Sequence, residues 1–175
     1  MAVLSAFYPD EYRDSTFTLD YRRMYDRGYR GIIYDIDNTL VPHGAPADER
    51  AIRHFEKLRE MGYRFCLISN NKEPRVASFA GDIGGAFYVY DAHKPSKKAY
   101  LKAVEKMGLP GDQVFFVGDQ IFTDVFGARR AGLYSILVKP IHPKEEIQIV
   151  LKRYLEKIVL FFYSKQKSQK NGKNS

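Results

Sequence analysis

Five short apolar runs punctuate the chain: GIIYDI (31–36), YRFCLIS (63–69), GAFYVY (85–90), QVFFVG (113–118) and YSILVK (134–139). They are nearly continuous rather than alternating, which is the pattern of strands covered on both faces. Between them, apolar residues recur three and four positions apart over about 47–61, 73–80, 96–107 and 122–131, as on one face of a helix. Several of these stretches stop at a glycine (MGYRF, MGLPG, AGLYS), as helices with a left-handed C-cap do. Strand and helix alternating in this way predict an α/β protein: a five-stranded parallel sheet between two helical layers, a Rossmann-like three-layer sandwich. Ligands of such sheets gather at the C-terminal ends of the strands.

The polar residues meet that expectation. The first strand ends in Asp35 and Asp37, the second in Ser69-Asn70-Asn71, and the third is followed by Lys94-Pro95. The fourth ends in Gly118-Asp119, with Asp124 five residues on. Carboxylates are costly to bury alone, and two separated by one residue repel unless a cation lies between them or one keeps a proton. Three carboxylates, a hydroxyl and a lysine at one sheet edge point to a divalent cation and a phosphate. Asp35 and Asp119 offer hard oxygen ligands of the kind Mg²⁺ takes beside water and substrate oxygens. Asp35 is then placed as a nucleophile forming an aspartyl-phosphate. Asp37, on the other side of the strand end, is placed as the acid/base that protonates the leaving oxygen and later activates water. Ser69 and nearby backbone N–H groups are expected to hold phosphoryl oxygens, and Lys94 to offset their charge.

Each cluster alone has a plainer reading. DID suits a turn, SNN a turn or helix cap, Lys94 a surface lysine and GDQIFTD a capped helix start. The four together favour a site. His43 and His93 are left out as loop bystanders, and GDIGG (81–85) precedes a strand, so it is a turn rather than a phosphate loop.

DIDNT at 35–39, SNN at 69–71, KP at 94–95 and GDQIFTD at 118–124, in that order, resemble the four motifs of the haloacid dehalogenase (HAD) phosphatase superfamily. With FYPDEY ahead of the core and the fuller DIDNTLVPHG, the pattern resembles the YqeG-like group of HAD subfamily IIIA. The resemblance covers about residues 30–140 and shows no departure at the motif positions. It implies a Mg²⁺-dependent phosphomonoesterase with Asp35 as nucleophile, Asp37 as acid/base and Lys94 steadying the intermediate. Thr39, Ser69 and Asn70 form the implied phosphate-contacting set, Thr39 also supporting its loop. The implied metal set is Asp35, Asp37 through its main-chain carbonyl, Asp119 and Asp124, the last serving either as an outlying ligand or as a partner of Lys94. Eukaryotic relatives of this group dephosphorylate phosphatidylglycerophosphate, so the resemblance also implies a phosphorylated substrate with a phospholipid headgroup. A soluble phosphate ester is the alternative, and a non-catalytic HAD-fold module binding RNA or protein is another. Thirty positions from Thr39 to Ser69 and twenty-five from Ser69 to Lys94 leave no room for a cap domain, so the expected HAD domain, residues 1–140, has an open site.

Composition and charge refine this. A single cysteine, Cys66, allows no intramolecular disulfide, and its apolar surroundings suit a buried hydrophobe. The start of the chain does not read as a signal peptide, and no run reaches the ~20 apolar residues of a membrane span, so a cytoplasmic protein is expected. Of the net charge of +7, residues 152–175 carry +6, leaving the rest nearly neutral. Apolar residues at Ile147, Val150, Leu151, Tyr154, Leu155, Ile158, Val159 and Phe162 repeat with helical period, and basic residues fill the other face. An amphipathic helix over 141–163 and a basic, disordered tail over 164–175 are therefore expected. The helix either packs on the core or lies with the tail on an anionic membrane, which would make the protein peripheral at the inner membrane face. No recognised RNA- or DNA-binding module is present, so nucleic acid is not the expected partner.

Overall fold

A computed structural model describes residues 6–142. The expected helix from residue 143 onward and the basic tail lie outside the described residues. Six parallel strands form one sheet: β1 (Glu11–Arg13), β2 (Gly31–Tyr34), β3 (Arg64–Ile68), β4 (Phe87–Val89), β5 (Val114–Gly118) and β6 (Tyr134–Val138). Their order is β1-β6-β5-β2-β3-β4. The helices are α1 (Tyr21–Asp26), α2 (Glu49–Glu60), α3 (Glu73–Asp82), α4 (Lys97–Met107) and α5 (Phe126–Arg130).

The five apolar runs all become strands, and their side chains sort by pleat. Ile32, Tyr34, Phe65, Leu67, Phe115 and Val117 face one layer, with Phe55 and Leu58 of α2 and Val76 and Phe79 of α3. Ile33, Cys66, Ile68, Val114 and Phe116 face the other, with Tyr100 and Ala103 of α4 and Ala128 of α5. Two apolar layers on one sheet are the three-layer sandwich. In α2 the buried positions Ala51, Phe55 and Leu58 follow helical spacing, and Asp48 caps the start by accepting the Ala51 N–H at 2.7 Å. Phe55 packs edge-on against Tyr34 and Phe65 at 5.3 and 5.0 Å. Beneath this layer Tyr34 Oη lies 2.8 Å from Tyr21 Oη and 3.1 Å from His54 Nε2. Burial pushes the His54 pKa down to about 4, so its ring is neutral.

The five-strand expectation needs correcting: the described residues form six. β1 has the polar sequence EYR and lies at the sheet edge, pairing with β6 in the register Tyr12↔Leu137. An edge strand with an exposed face carries no apolar run, which is why pattern reading passes over it. The helix expected at 122–131 also differs. Ile121–Val125 form a wide π-type turn, with the Val125 N–H donating to Gln120 O at 3.1 Å, and only Phe126–Arg130 are regular helix. Neither interval between the motifs holds an inserted domain among the described residues: one contains a loop, α2 and β3, the other α3 and β4. No helix of the described residues is long and apolar enough to cross a membrane.

Candidate active site

β2 is central, flanked by β3 and β5, and the chain leaves it toward β3 but returns to it through β5. That change of direction opens a crevice beyond its C-terminal end. Asp35 follows β2 directly, anchored by its N–H donating to Val117 O of β5 at 3.0 Å. The chain then turns tightly: the N–H groups of Thr39, Leu40 and Val41 all aim at Ile36 O. Asn38 holds the turn with φ of 63°, a left-handed conformation asparagine tolerates better than most residues. This turn brings Thr39 back beneath Asp35. The Thr39 hydroxyl lies 3.3 Å from Asp35 Oδ2 and 3.1 Å from Asp119 Oδ1, and can donate to one at a time.

Asp35, Asp119 and Asp124 each present a carboxylate oxygen within 4.8 Å of the others, and all three are buried. Lys94, only 8% exposed, ion-pairs with Asp35 and reaches Asp124 Oδ1 at 2.7 Å. Asp124 Oδ2 accepts the Gln120 N–H at 3.1 Å. Gly118 is required here: a Cβ would sit 2.6 Å from Asp124 Oδ2.

Three carboxylates face one ammonium, so with all three ionised the cluster would carry two uncompensated negative charges. Burial, reinforced by the neighbouring Asp35 and Asp124 charges, raises the Asp119 carboxyl well above the usual range. Burial raises Asp35 too; Lys94 opposes this, but Asp124 adds to it. Burial alone would lower Lys94, yet Asp124 and Asp35 outweigh it and keep the ammonium charged. Asp119 Oδ2 is buried with no hydrogen-bond partner. A divalent cation would cancel the excess charge and occupy that orphaned oxygen. The donor set fits such an ion.

Asp37 is not part of this cluster. Its Oδ1 accepts the Gly44 N–H at 2.7 Å and its Oδ2 accepts from Asn71 Nδ2 at 2.7 Å, with Arg75 3.4 Å from Oδ1. His43 Nδ1 is 4.0 Å from Oδ1. Ser69 is buried at the end of β3, and its Oγ accepts the Asn71 N–H at 3.1 Å, which leaves its own O–H to donate. Asn70 uses Oδ1 to accept the Lys94 N–H at 2.8 Å, so in this structure it orients the lysine's backbone.

The geometry thus joins Asp35, Thr39, Lys94, Asp119 and Asp124 in one buried cluster. Asp37 stands beside it on a separate hydrogen-bonded mount, and Ser69 and Asn70 lie on the loop between β3 and α3. A family model for haloacid dehalogenase-like hydrolases matches residues 49–132. The probable phosphatase YqeG of Bacillus subtilis (strain 168) is 37% identical over 88% of this chain and 90% of its own length. This chain belongs to the HAD superfamily. Within it, the YqeG likeness makes it a HAD phosphatase, an enzyme for phosphorylated substrates. A phosphatidylglycerophosphate phosphatase 1 of Arabidopsis thaliana, chloroplastic/mitochondrial, is 26% identical over 79% of this chain, which spans only 45% of that protein. The fold agrees with a solved structure of an uncharacterized protein from Listeria monocytogenes serotype 4b. The TM-score is 0.51, with 14% identity over 70% of this chain and 97% of that one.

In this HAD phosphatase three contributors escaped the sequence reading. Asn71 and Arg75 grip Asp37 from the loop after β3 and from α3. The third is the Gly44 amide. Asn71 was visible as the last letter of SNN, and its place two residues past Ser69 was the available signal. Arg75 and Gly44 had none, since each depends on how the loop after Asp37 folds over α3.

Proposed function

We propose that the chain is a Mg²⁺-dependent phosphomonoesterase that works through an aspartyl-phosphate on Asp35. We further propose that its substrate is phosphatidylglycerophosphate presented at a membrane surface. One observation carries the chemistry: two carboxylates separated by a single residue occupy opposite environments. Asp35 is buried between Lys94 and Thr39, while Asp37 stands beside that cluster, held by the Gly44 amide, Asn71 and Arg75. Environment is what divides nucleophile from acid/base between like residues.

Asp35, Asp119 and the Asp37 main-chain carbonyl would hold Mg²⁺ with Asp124 alongside, and bound Mg²⁺ supplies charge neutralisation on the transferring phosphoryl group. In the first step an Asp35 carboxylate oxygen attacks phosphorus, the bond from phosphorus to the ester oxygen breaks, and Asp37 gives its proton to the departing alkoxide. In the second, Asp37 takes a proton from water as that water attacks the acyl-phosphate phosphorus. Asp35 is released as carboxylate and inorganic phosphate departs. Lys94 holds the nucleophile and faces phosphoryl charge, and Ser69 donates its hydroxyl to a phosphoryl oxygen.

The substrate reading rests on the phosphatidylglycerophosphate phosphatase activity of the Arabidopsis relative and on the absence of a cap over the site among the described residues. The apolar periodicity and +6 charge at the C-terminal end of the sequence also favour an anionic surface. The test is phosphate release from phosphatidylglycerophosphate in anionic vesicles with Mg²⁺, beside a panel of soluble phosphate esters. Asp35→Asn serves as the blank. Preference for the vesicles, abolished in Asp35→Asn and reversibly by EDTA, is the expected result. Preference for a soluble ester would discard the lipid, and an Asp35→Asn protein with undiminished rate would sink the nucleophile.

A further inference from the structure

The turn that carries Asp124 inward also carries two large apolar side chains outward. Ile121 and Phe122, directly after Asp119-Gln120, are 39% and 42% exposed. Both follow from the wide turn over Ile121–Val125, which buries Thr123, Asp124 and Val125 and turns its first two residues out. They are not a stray pair. Phe7 lies 5.5 Å from Phe122 and stacks on Phe126 at 4.5 Å, so an aromatic base supports the exposed tip. The Arg130 guanidinium lies 5.5 Å from the Phe126 ring and 3.4 Å from Pro95 O, adjoining Lys94. Lys97 and Lys98, both exposed, open α4 three residues after Lys94. An apolar tip therefore stands beside the mouth of the site, with cations on the neighbouring rim.

We propose that Ile121 and Phe122 are an interfacial anchor that enters the acyl boundary of an anionic lipid surface while Arg130, Lys97 and Lys98 meet its headgroups. Apolar side chains at the tip with long cationic ones around them are the chemistry of interfacial binding. Charge selects the occupant. A second copy brings the same cations against themselves across an isologous contact, and the chain's own C-terminal segment carries +6. An anionic surface complements the rim. This inference rests on the lipid reading of the site and names the residues that would bring a headgroup to Asp35.

The chain contains no tryptophan, so Phe122→Trp creates a single reporter at the tip. Its emission is recorded with vesicles of phosphatidylcholine alone and with added phosphatidylglycerol, neither of which is a phosphomonoester. A blue shift with the anionic vesicles, and quenching by brominated acyl chains, is expected. The companion variant Ile121→Ser/Phe122→Ser should weaken vesicle binding by roughly 10–30-fold. It should leave turnover of a soluble phosphate ester unchanged, which also reports that the variant folds. Emission that stays put while the protein pellets with vesicles would overturn the anchor and move membrane contact elsewhere. A blue shift that tracks protein concentration without lipid would give the tip to a second copy. A reporter that inserts in a protein that spares phosphatidylglycerophosphate would keep the anchor and defeat the proposed substrate.

Discussion

Asp119→Asn should make the metal-free protein more stable while abolishing its phosphatase activity. Asp119 has an oxygen within 4.8 Å of both Asp35 and Asp124, and one hydrogen-bonding contact, with Thr39. Each like-charge pair at that range costs about 3 kcal/mol at an effective dielectric of 20. Lys94 returns a similar attraction, so ionised Asp119 would bear one uncompensated repulsion of about 3 kcal/mol. At neutral pH the metal-free protein avoids it only by keeping a proton that the unfolded chain releases, at a comparable cost. Asparagine is neutral without taking up a proton, keeps an acceptor for Thr39 and changes volume little. Discounting for relaxation, a gain of about 1–3 kcal/mol is expected, which in a domain of this size raises Tm by roughly 3–10 °C. The assay is thermal unfolding by circular dichroism, wild type beside variant, in EDTA and then in excess Mg²⁺. In EDTA the variant should melt higher. With Mg²⁺ the wild type should rise and the variant should barely respond. A variant less stable than wild type in EDTA would refute the charge argument, and equal Mg²⁺ responses would refute Asp119 as a ligand.

Other consequences are as direct. The folded pKa values of Asp35 (about 7) and Asp119 lie above their unfolded values, so the folded state holds protons the unfolded state has released. Metal-free stability should therefore fall as pH rises from the unfolded aspartate value of about 4 to about 7 for Asp35 and beyond it for Asp119, a slope that Mg²⁺ flattens; thermal melts in EDTA across that range check it. His54 acts oppositely: its folded pKa is depressed to about 4, so its contribution is present above the unfolded histidine value of about 6.5 and is lost as pH falls below it. Asn71→Ala should leave the fold intact but lower kcat about tenfold or more and shift the pH–rate profile, because Asp37 loses the amide holding Oδ2. Gly118→Ala places a Cβ 2.6 Å from an Asp124 carboxylate pinned by Lys94 and the Gln120 amide. It should cost about 1–3 kcal/mol in denaturant unfolding, and activity should drop about 100-fold as the cluster is displaced.

The layers of the fold were legible because burial writes itself into the chain. A strand covered on both faces must be apolar throughout, as GIIY and VFFVG are. The edge strand β1 pays no such cost and could be EYR. The site's acids were legible because buried carboxylates at strand ends demand an explanation, and Lys94 because it joined three of them in motif order. Sequence left Asp124 two roles; here its carboxylate pairs with Lys94. What sequence could not yield were contacts made by loop closure. Asn71, Arg75 and the Gly44 amide converge on Asp37 only after the segment following Val41 crosses the start of α3. The wide turn at Ile121–Val125 was equally hidden, since its apolar spacing reads as an ordinary helix start.

The strand order has a consequence for synthesis. β2 lies between β3 and β5, yet β5 begins eighty residues after β2 ends. A nascent chain that has delivered β2, β3 and β4 can pair only those three, leaving the wholly apolar GIIY as an open edge. Unpaired apolar edges recruit other chains. On the ribosome, then, the strand that leads into Asp35 is the one most exposed to mispairing until VFFVG emerges to close it. Translation pauses between residues 90 and 113 should raise the demand for chaperones more than pauses placed after β5.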